Sequence, residues 1–217
     1  MPRPWLTLLT IGTIGAIVFV FFFLRLQPIR PTQTDDEGGQ ALERIERPNV
    51  TFVNPSRGPS DAKVTIVTFG DFQCEACKTL ATNIETVMRS YPDDVRVIWK
   101  DMPNEEAHPL ATKAAIAAHC ADRQGKFWEY HAALFERQAY LSEEELATAA
   151  TDVGLDTETF SRCAESNDTL AIVRKDFDEG RALNVLATPT LFIDADSYAG
   201  ALTVENLTEL IQQKLAN

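Results

Sequence analysis

Residues 64–77 read Val64-Thr65-Ile66-Val67-Thr68-Phe69-Gly70-Asp71-Phe72-Gln73-Cys74-Glu75-Ala76-Cys77, a β-branched run that passes through a turn into two cysteines separated by two residues. Val64–Phe69 has the composition of a central strand. Beyond the cysteines, Leu80, Ala81, Ile84, Val87 and Met88 recur at the spacings of one helix face, and Pro92 stands past its end. The cysteines therefore fall in the first turn of a helix. Val95-Arg96-Val97-Ile98-Trp99 supplies the next strand, and a strand–helix–strand unit of this length predicts parallel pairing with a right-handed crossover, half of an α/β sheet.

A CxxC pair is either half of a zinc site or a redox dithiol. Zinc needs four ligands, usually from a second CxxC or a paired histidine motif. Cys120, Cys163, His108, His119 and His131 remain, and none is paired at ligand spacing, so no metal is expected. A dithiol at a helix N-terminus makes physical sense, because unpaired N–H groups and the positive end of the helix dipole stabilise a thiolate. Cys74 is then the exposed nucleophile of low pKa. Cys77, one turn in and on the face of Leu80 and Ile84, is the buried resolving thiol. Glu75 is read either as an exposed carboxylate that suits the first helical turn or as a negative charge beside Cys74 that raises its pKa and makes the pair a moderate oxidant.

Downstream, residues 108–183 read as helical throughout. Helices are expected over Leu110–Ala121, Lys126–Glu136 and Glu143–Val153, the last opened by Ser142-x-x-Glu145 and closed by Gly154. Asp156 is expected to cap a fourth helix and Asn167 or Asp168 a fifth that runs to Leu183. Thr190–Ile193 and Ser197–Ala199 are the closing strands, and Thr203–Leu215 is a final amphipathic helix. Upstream, Val50–Val53 is a further expected strand. Residues 27–48, with Pro28, Pro31, Gly38, Gly39 and the acidic run Asp35-Asp36-Glu37, read as a linker that ends in a short helix near 41–47.

From Trp5 to Leu24 no residue is charged, and this length suits a bilayer-crossing helix. Phe21-Phe22-Phe23-Leu24-Arg25 stands where a cleaved signal would carry small residues, so 1–26 is read as an uncleaved signal anchor. Basic residues flank both ends, and charge bias alone barely decides orientation. The formal net charge of the chain is −12. Arg3, Arg25 and Arg30 precede the folded part with no acid among them, so the folded part is more acidic still, and nucleic acid is an unsuitable partner.

Three stretches together resemble the DsbA-like family of the thioredoxin superfamily. They are Gly58-Pro59-x-x-Ala62-x-Val64-Thr65-Ile66-Val67 leading to Phe69–Cys77, then Gln124-Gly125-Lys126-Phe127-Trp128-Glu129-Tyr130-His131, and Ala187-Thr188-Pro189-Thr190 before a strand. The resemblance implies an α/β thioredoxin fold over 49–217, a mixed sheet flanked by helices, with an inserted helical domain at about 108–184. It also implies a cis Thr188–Pro189 bond beside the CxxC, with Thr188 offering backbone hydrogen bonds to an extended peptide. Where the best-known member has a buried acid in the strand before the nucleophile, this chain has Thr68. Asp71 and Lys100 are the candidates to tune the dithiol instead, against structural roles for each, Asp71 as a turn or cap residue and Lys100 as a strand-end charge.

Cys120 and Cys163 lie in two helices of the insertion, and an even cysteine count in an exported domain favours a structural disulfide between them over two separate buried thiols. That bridge would place the domain outside the cytoplasm, on the periplasmic or extracellular side of the membrane. The expected activity is a protein-disulfide oxidoreductase, a dithiol oxidase for reduced or unfolded exported polypeptides. It needs no cofactor beyond the Cys74–Cys77 pair. The resemblance implies reoxidation by a DsbB-like or vitamin-K-epoxide-reductase-like quinone reductase. A reductase or isomerase running the same site in reverse, and a non-catalytic peptide-binding module, are the alternatives.

Overall fold

The computed structural model describes residues 46–216 and Phe19. The expected anchor apart from Phe19, most of the expected short helix near 41–47 and nearly all of the linker lie outside those residues. Among the described residues no helix is long and apolar enough to cross a membrane.

The elements run β1 Ser56–Arg57, β2 Val64–Gly70, α1 Glu75–Ser90, β3 Val95–Asp101, α2 Ala111–Asp122, α3 Phe127–Glu136, a 3-10 turn Gln138–Tyr140, α4 Glu143–Asp152, α5 Thr157–Ser166, α6 Leu170–Ala182, β4 Thr190–Ile193, β5 Asp196–Ala199 and α7 Val204–Leu215. The five strands order as β1-β3-β2-β4-β5. β2 and β3 pair in parallel, with Val64 opposite Val95 and Thr68 opposite Trp99. β4 returns antiparallel to β2, with Phe69 opposite Thr190. The mixed thioredoxin-like sheet is thus present, and α2 to α6 form the helical insertion between β3 and β4.

Alternation along the strands divides the core. Val64, Ile66, Val95 and Val97 point to one face and pack with Leu80, Ile84 and Val87 of α1 and Leu207 and Ile211 of α7. Val67, Phe69, Ile98 and Phe192 pack on the other face. A third cluster joins Phe72, Cys74, Cys77 and Trp99 to the apolar faces of α2, α3 and α4, so the dithiol sits where sheet and insertion meet.

Local chemistry explains the helix boundaries. Ser142 and Asp156 accept from the N–H of Glu145 and Thr159, as N-caps do. The motif 124–131 locks the insertion together. Gln124 exchanges hydrogen bonds with the backbone of Asp156, Lys126 donates to the carbonyls of Val153 and Gly154, and Tyr130 donates to that of Leu146.

Two expectations need correction. Val50–Val53 is no strand, because the Asn54 side chain accepts from the backbone N–H and hydroxyl of Thr51 and closes a turn there. The edge strand is Ser56–Arg57 instead. Asn167 does not open the fifth helix of the insertion. It ends α5 in a left-handed conformation, and the N-cap of α6 is Thr169, whose hydroxyl donates to the Ile116 carbonyl.

Candidate active site

The N-cap of α1 is Cys74 itself. Its Sγ accepts the backbone N–H of Cys77 at 3.3 Å, and its thiol donates to the carbonyl of Thr188 at 3.3 Å. The Thr188–Pro189 peptide is cis. The pairing of β4 with β2 carries these two residues to the mouth of α1 although they are more than a hundred positions away. Cys74 is 7% exposed, so the expected open thiol is largely covered, while Cys77 is 1% exposed.

Their proton affinities diverge. The hydrogen bond from the Cys77 thiol, against opposition from burial, draws the pKa of Cys74 down to about 6. Burial first, and then the neighbouring Cys74, push that of Cys77 strongly up. The carboxylate whose charge opposes the Cys74 thiolate is Asp71, which is 2% exposed; the side chain of Glu75 points into solvent.

Asp71 is firmly held. Its oxygens accept from the N–H of Gln73 at 2.7 Å and of Asn104 at 2.9 Å, and one lies 2.8 Å from Nδ1 of His108. Lys100 stands apart from the dithiol. Its place in β3 points it to the face away from α1, where its buried ammonium meets Asp176 and Glu179, each at 2.9 Å, and Asn54. Asp176 has a raised pKa, from burial first and the Asp101 charge second. Cys120 and Cys163 are bonded to each other across α2 and α5.

The active turn is held from both ends by groups that had no local signal in the sequence. Gln138 donates to the carbonyls of Phe72 and Cys74, and Gln73 accepts the N–H of Leu110. A metal has one group of donors to consider among the described residues, Asp101, His119 and Asp176. Those atoms are engaged: Asp101 binds Trp99 Nε1 and His119, and the Lys100 ammonium already stands against Asp176.

A thiol that ionises readily at a helix N-terminus, backed by a thiol that does not, and facing the half-buried Thr188 backbone beside a cis-proline, can exchange with an incoming disulfide or dithiol. Fold and site together are thioredoxin-like, with a dithiol at the first turn of α1. A thioredoxin family profile matches residues 52–213, so the chain belongs to the thioredoxin family. A periplasmic thioredoxin-like protein of Salmonella enterica serovar Typhimurium superposes with a TM-score of 0.65 and is 26% identical, over 76% of this chain and 91% of that one. Oxidised BdbD of Bacillus subtilis, 24% identical over 76% of this chain and 94% of its own, shares the fold with a TM-score of 0.69. Among curated relatives, Na(+)/H(+) antiporter NhaA 1 of Mycolicibacterium vanbaalenii is 34% identical over 212 residues, 93% of this chain. The chain spans only about a quarter to a third of the length of such relatives, 26% of one and 33% of another.

Proposed function

We propose that the domain is a dithiol oxidase that forms disulfides in exported polypeptides through Cys74 and Cys77, on the extracytoplasmic side of a membrane to which residues 5–24 anchor it. The observation that carries this reading is the asymmetric pair: Cys74 caps α1 and ionises near pH 6, while Cys77 behind it holds its proton. The Thr188 carbonyl at Cys74 supplies a backbone edge on which an extended substrate can dock. A disulfide in the insertion favours an oxidising compartment, and the Salmonella relative is periplasmic. A membrane quinone reductase, DsbB-like or vitamin-K-epoxide-reductase-like, would restore the disulfide.

A Cys74 pKa of about 6 lies nearer the roughly 7 of thioredoxin than the roughly 3.5 of the strongest oxidases. That favours a moderate oxidant, and it is also the observation behind a second reading, a reductase or isomerase. The equilibrium potential of the Cys74–Cys77 couple against glutathione separates them. A value toward about −120 mV supports the oxidase, and one near −270 mV refutes it. Trapping with Cys77→Ala in the full chain should then leave Cys74 joined to exported proteins and to the quinone reductase.

A further inference from the structure

On the insertion side of the dithiol, an open groove of about 620 Å³ is lined by α6, the loop 102–106 and residues 186–188, and by no residue of β5 or α7. Its apolar lining includes Met102, Val173 and Phe177, and it reaches Thr188, whose carbonyl takes the Cys74 thiol. Leu186 stands in it 93% exposed. Val185 and Pro189 are buried, so the short segment between them is anchored at both ends with Leu186 turned outward. Glu105 and Glu106 also line the groove, both exposed, and among the described residues neither carboxylate has an ion pair or hydrogen bond. The loop that carries them is fixed to the turn before Cys74: the N–H of Met102 donates to the Gly70 carbonyl at 2.8 Å, and that of Asn104 to Asp71 at 2.9 Å.

We propose that this groove selects substrates by the flank of their cysteine, taking an extended polypeptide that offers an apolar side chain to Leu186 and a basic one to Glu105 and Glu106. The inference rests on the oxidoreductase reading and deepens it by naming the substrate class. An extended chain whose cysteine faces Cys74 turns its second and fourth neighbours to the same surface. Leu186 stands two residues from Thr188, so the apolar contact falls on the second neighbour. The basic side chain then belongs to the fourth.

Charge decides between occupants. Two carboxylates with no partner, on a chain whose formal net charge is −12, attract a cationic group and repel an acidic one. A second copy of this chain would bring the same net charge against that wall. Arg174 is the cation of the groove and belongs to α6, so the positive side chain is directed to the loop 102–106. Because that loop is already tied to the active turn, docking requires little ordering of the protein.

The test uses the full-length chain with Cys77→Ala in lipid nanodiscs and the peptide Arg-Gly-Leu-Gly-Cys-Gly-Leu-Gly-Arg, alongside forms with Ala for Leu or Glu for Arg. The symmetrical flanks offer the groove the same pair in either chain direction. Each peptide carries its cysteine as a disulfide to thionitrobenzoate. The Cys74 thiolate attacks the peptide sulfur, a Cys74–peptide disulfide forms, and thionitrobenzoate leaves as the coloured thiolate. The first peptide should react about fivefold faster than its Ala form. It should react about threefold faster than its Glu form, a ratio that shrinks with added salt. Leu186→Ser should abolish the first ratio, and Glu105→Gln with Glu106→Gln the second. Equal rates for all peptides, or ratios that survive these substitutions, overturn the proposal alone. So does a chain that sediments as a dimer and becomes monomeric with Leu186→Ser, since a second copy is then the occupant. Failure of Cys74 to react even with dithiodipyridine, which has no flanks, overturns the oxidoreductase reading and this inference with it.

Discussion

The side-chain amide of Gln138 lies 3.0 Å from the carbonyl oxygen of Cys74, 64 residues earlier in the chain. The same nitrogen donates to Phe72 at 2.7 Å. One residue of the insertion thus binds two carbonyls of the turn that presents the nucleophile. Removing it frees that turn, and two hydrogen bonds at about 1 kcal/mol each set the scale. Gln138→Ala should lower stability by roughly 1–2 kcal/mol in denaturant titration and slow alkylation of Cys74 severalfold. Gln138→Glu, which cannot donate, should be no better. Unchanged Cys74 reactivity in both would show that the insertion does not position the dithiol.

Cys74 should alkylate with a rate that rises through a midpoint near pH 6, while Cys77 stays unreactive across the neutral range. The largest cause of the low value is the Cys77 thiol, so Cys77→Ala should move the Cys74 midpoint upward. Asp71→Asn should move it downward, because the opposing charge is gone. Thiolate absorbance at 240 nm against pH reads both shifts, and a Cys74 midpoint unaffected by Cys77→Ala contradicts the hydrogen-bond origin.

The Cys120–Cys163 bridge spans 43 positions. Constraint of the unfolded chain over such a loop is worth about 4 kcal/mol on the entropic model. In a background with Cys74 and Cys77 replaced by serine, reduction should lower the stability of the domain by about that amount. Equal denaturant midpoints with and without reductant would show that the bridge contributes nothing.

Stability should pass through a maximum as pH varies. His131 has a folded pKa near 3, below its ordinary 6.5, so the unfolded chain binds the extra proton. Its contribution is complete above pH 6.5 and is lost as pH falls toward 3, an effect on the order of a few kcal/mol. His119 has the opposite sign. Burial alone would lower its pKa, but the Asp101 carboxylate at 2.6 Å outweighs it and the net shift is upward. Its contribution is full below pH 6.5 and is lost as pH rises through the folded value. His131→Phe should therefore flatten the acid side of the profile in denaturation series between pH 4 and 7. An unaltered acid slope would refute the assignment to His131.

Much of this was legible in the order of residues. The strand before Cys74, the helix after Cys77 and the caps at Ser142 and Asp156 follow from composition and spacing within a few positions. The failures share a cause. Val50–Val53 has strand composition, yet the Asn54 side chain closes a turn over it, and that same side chain donates to Asp176, 122 positions away. Glu75 is exposed, as a carboxylate of the first helical turn can be, and it is Asp71, buried behind the turn, whose charge opposes the Cys74 thiolate. Lys100 lies in the strand beside β2 but on the face of the sheet away from α1, where it pairs with Asp176 and Glu179 in a structural role.

The sequence by itself determined that a strand leads two cysteines into a helix N-terminus, because periodicity and capping act over one or two turns. It also established which thiol comes first and that four cysteines are available for two pairs. Only the tertiary structure decided what surrounds them. Thr188 reaches Cys74 through the pairing of β4 with β2, and Gln138 reaches it from the insertion. Those contacts depend on how sheet and helices pack, and no local pattern encodes a distance across a core.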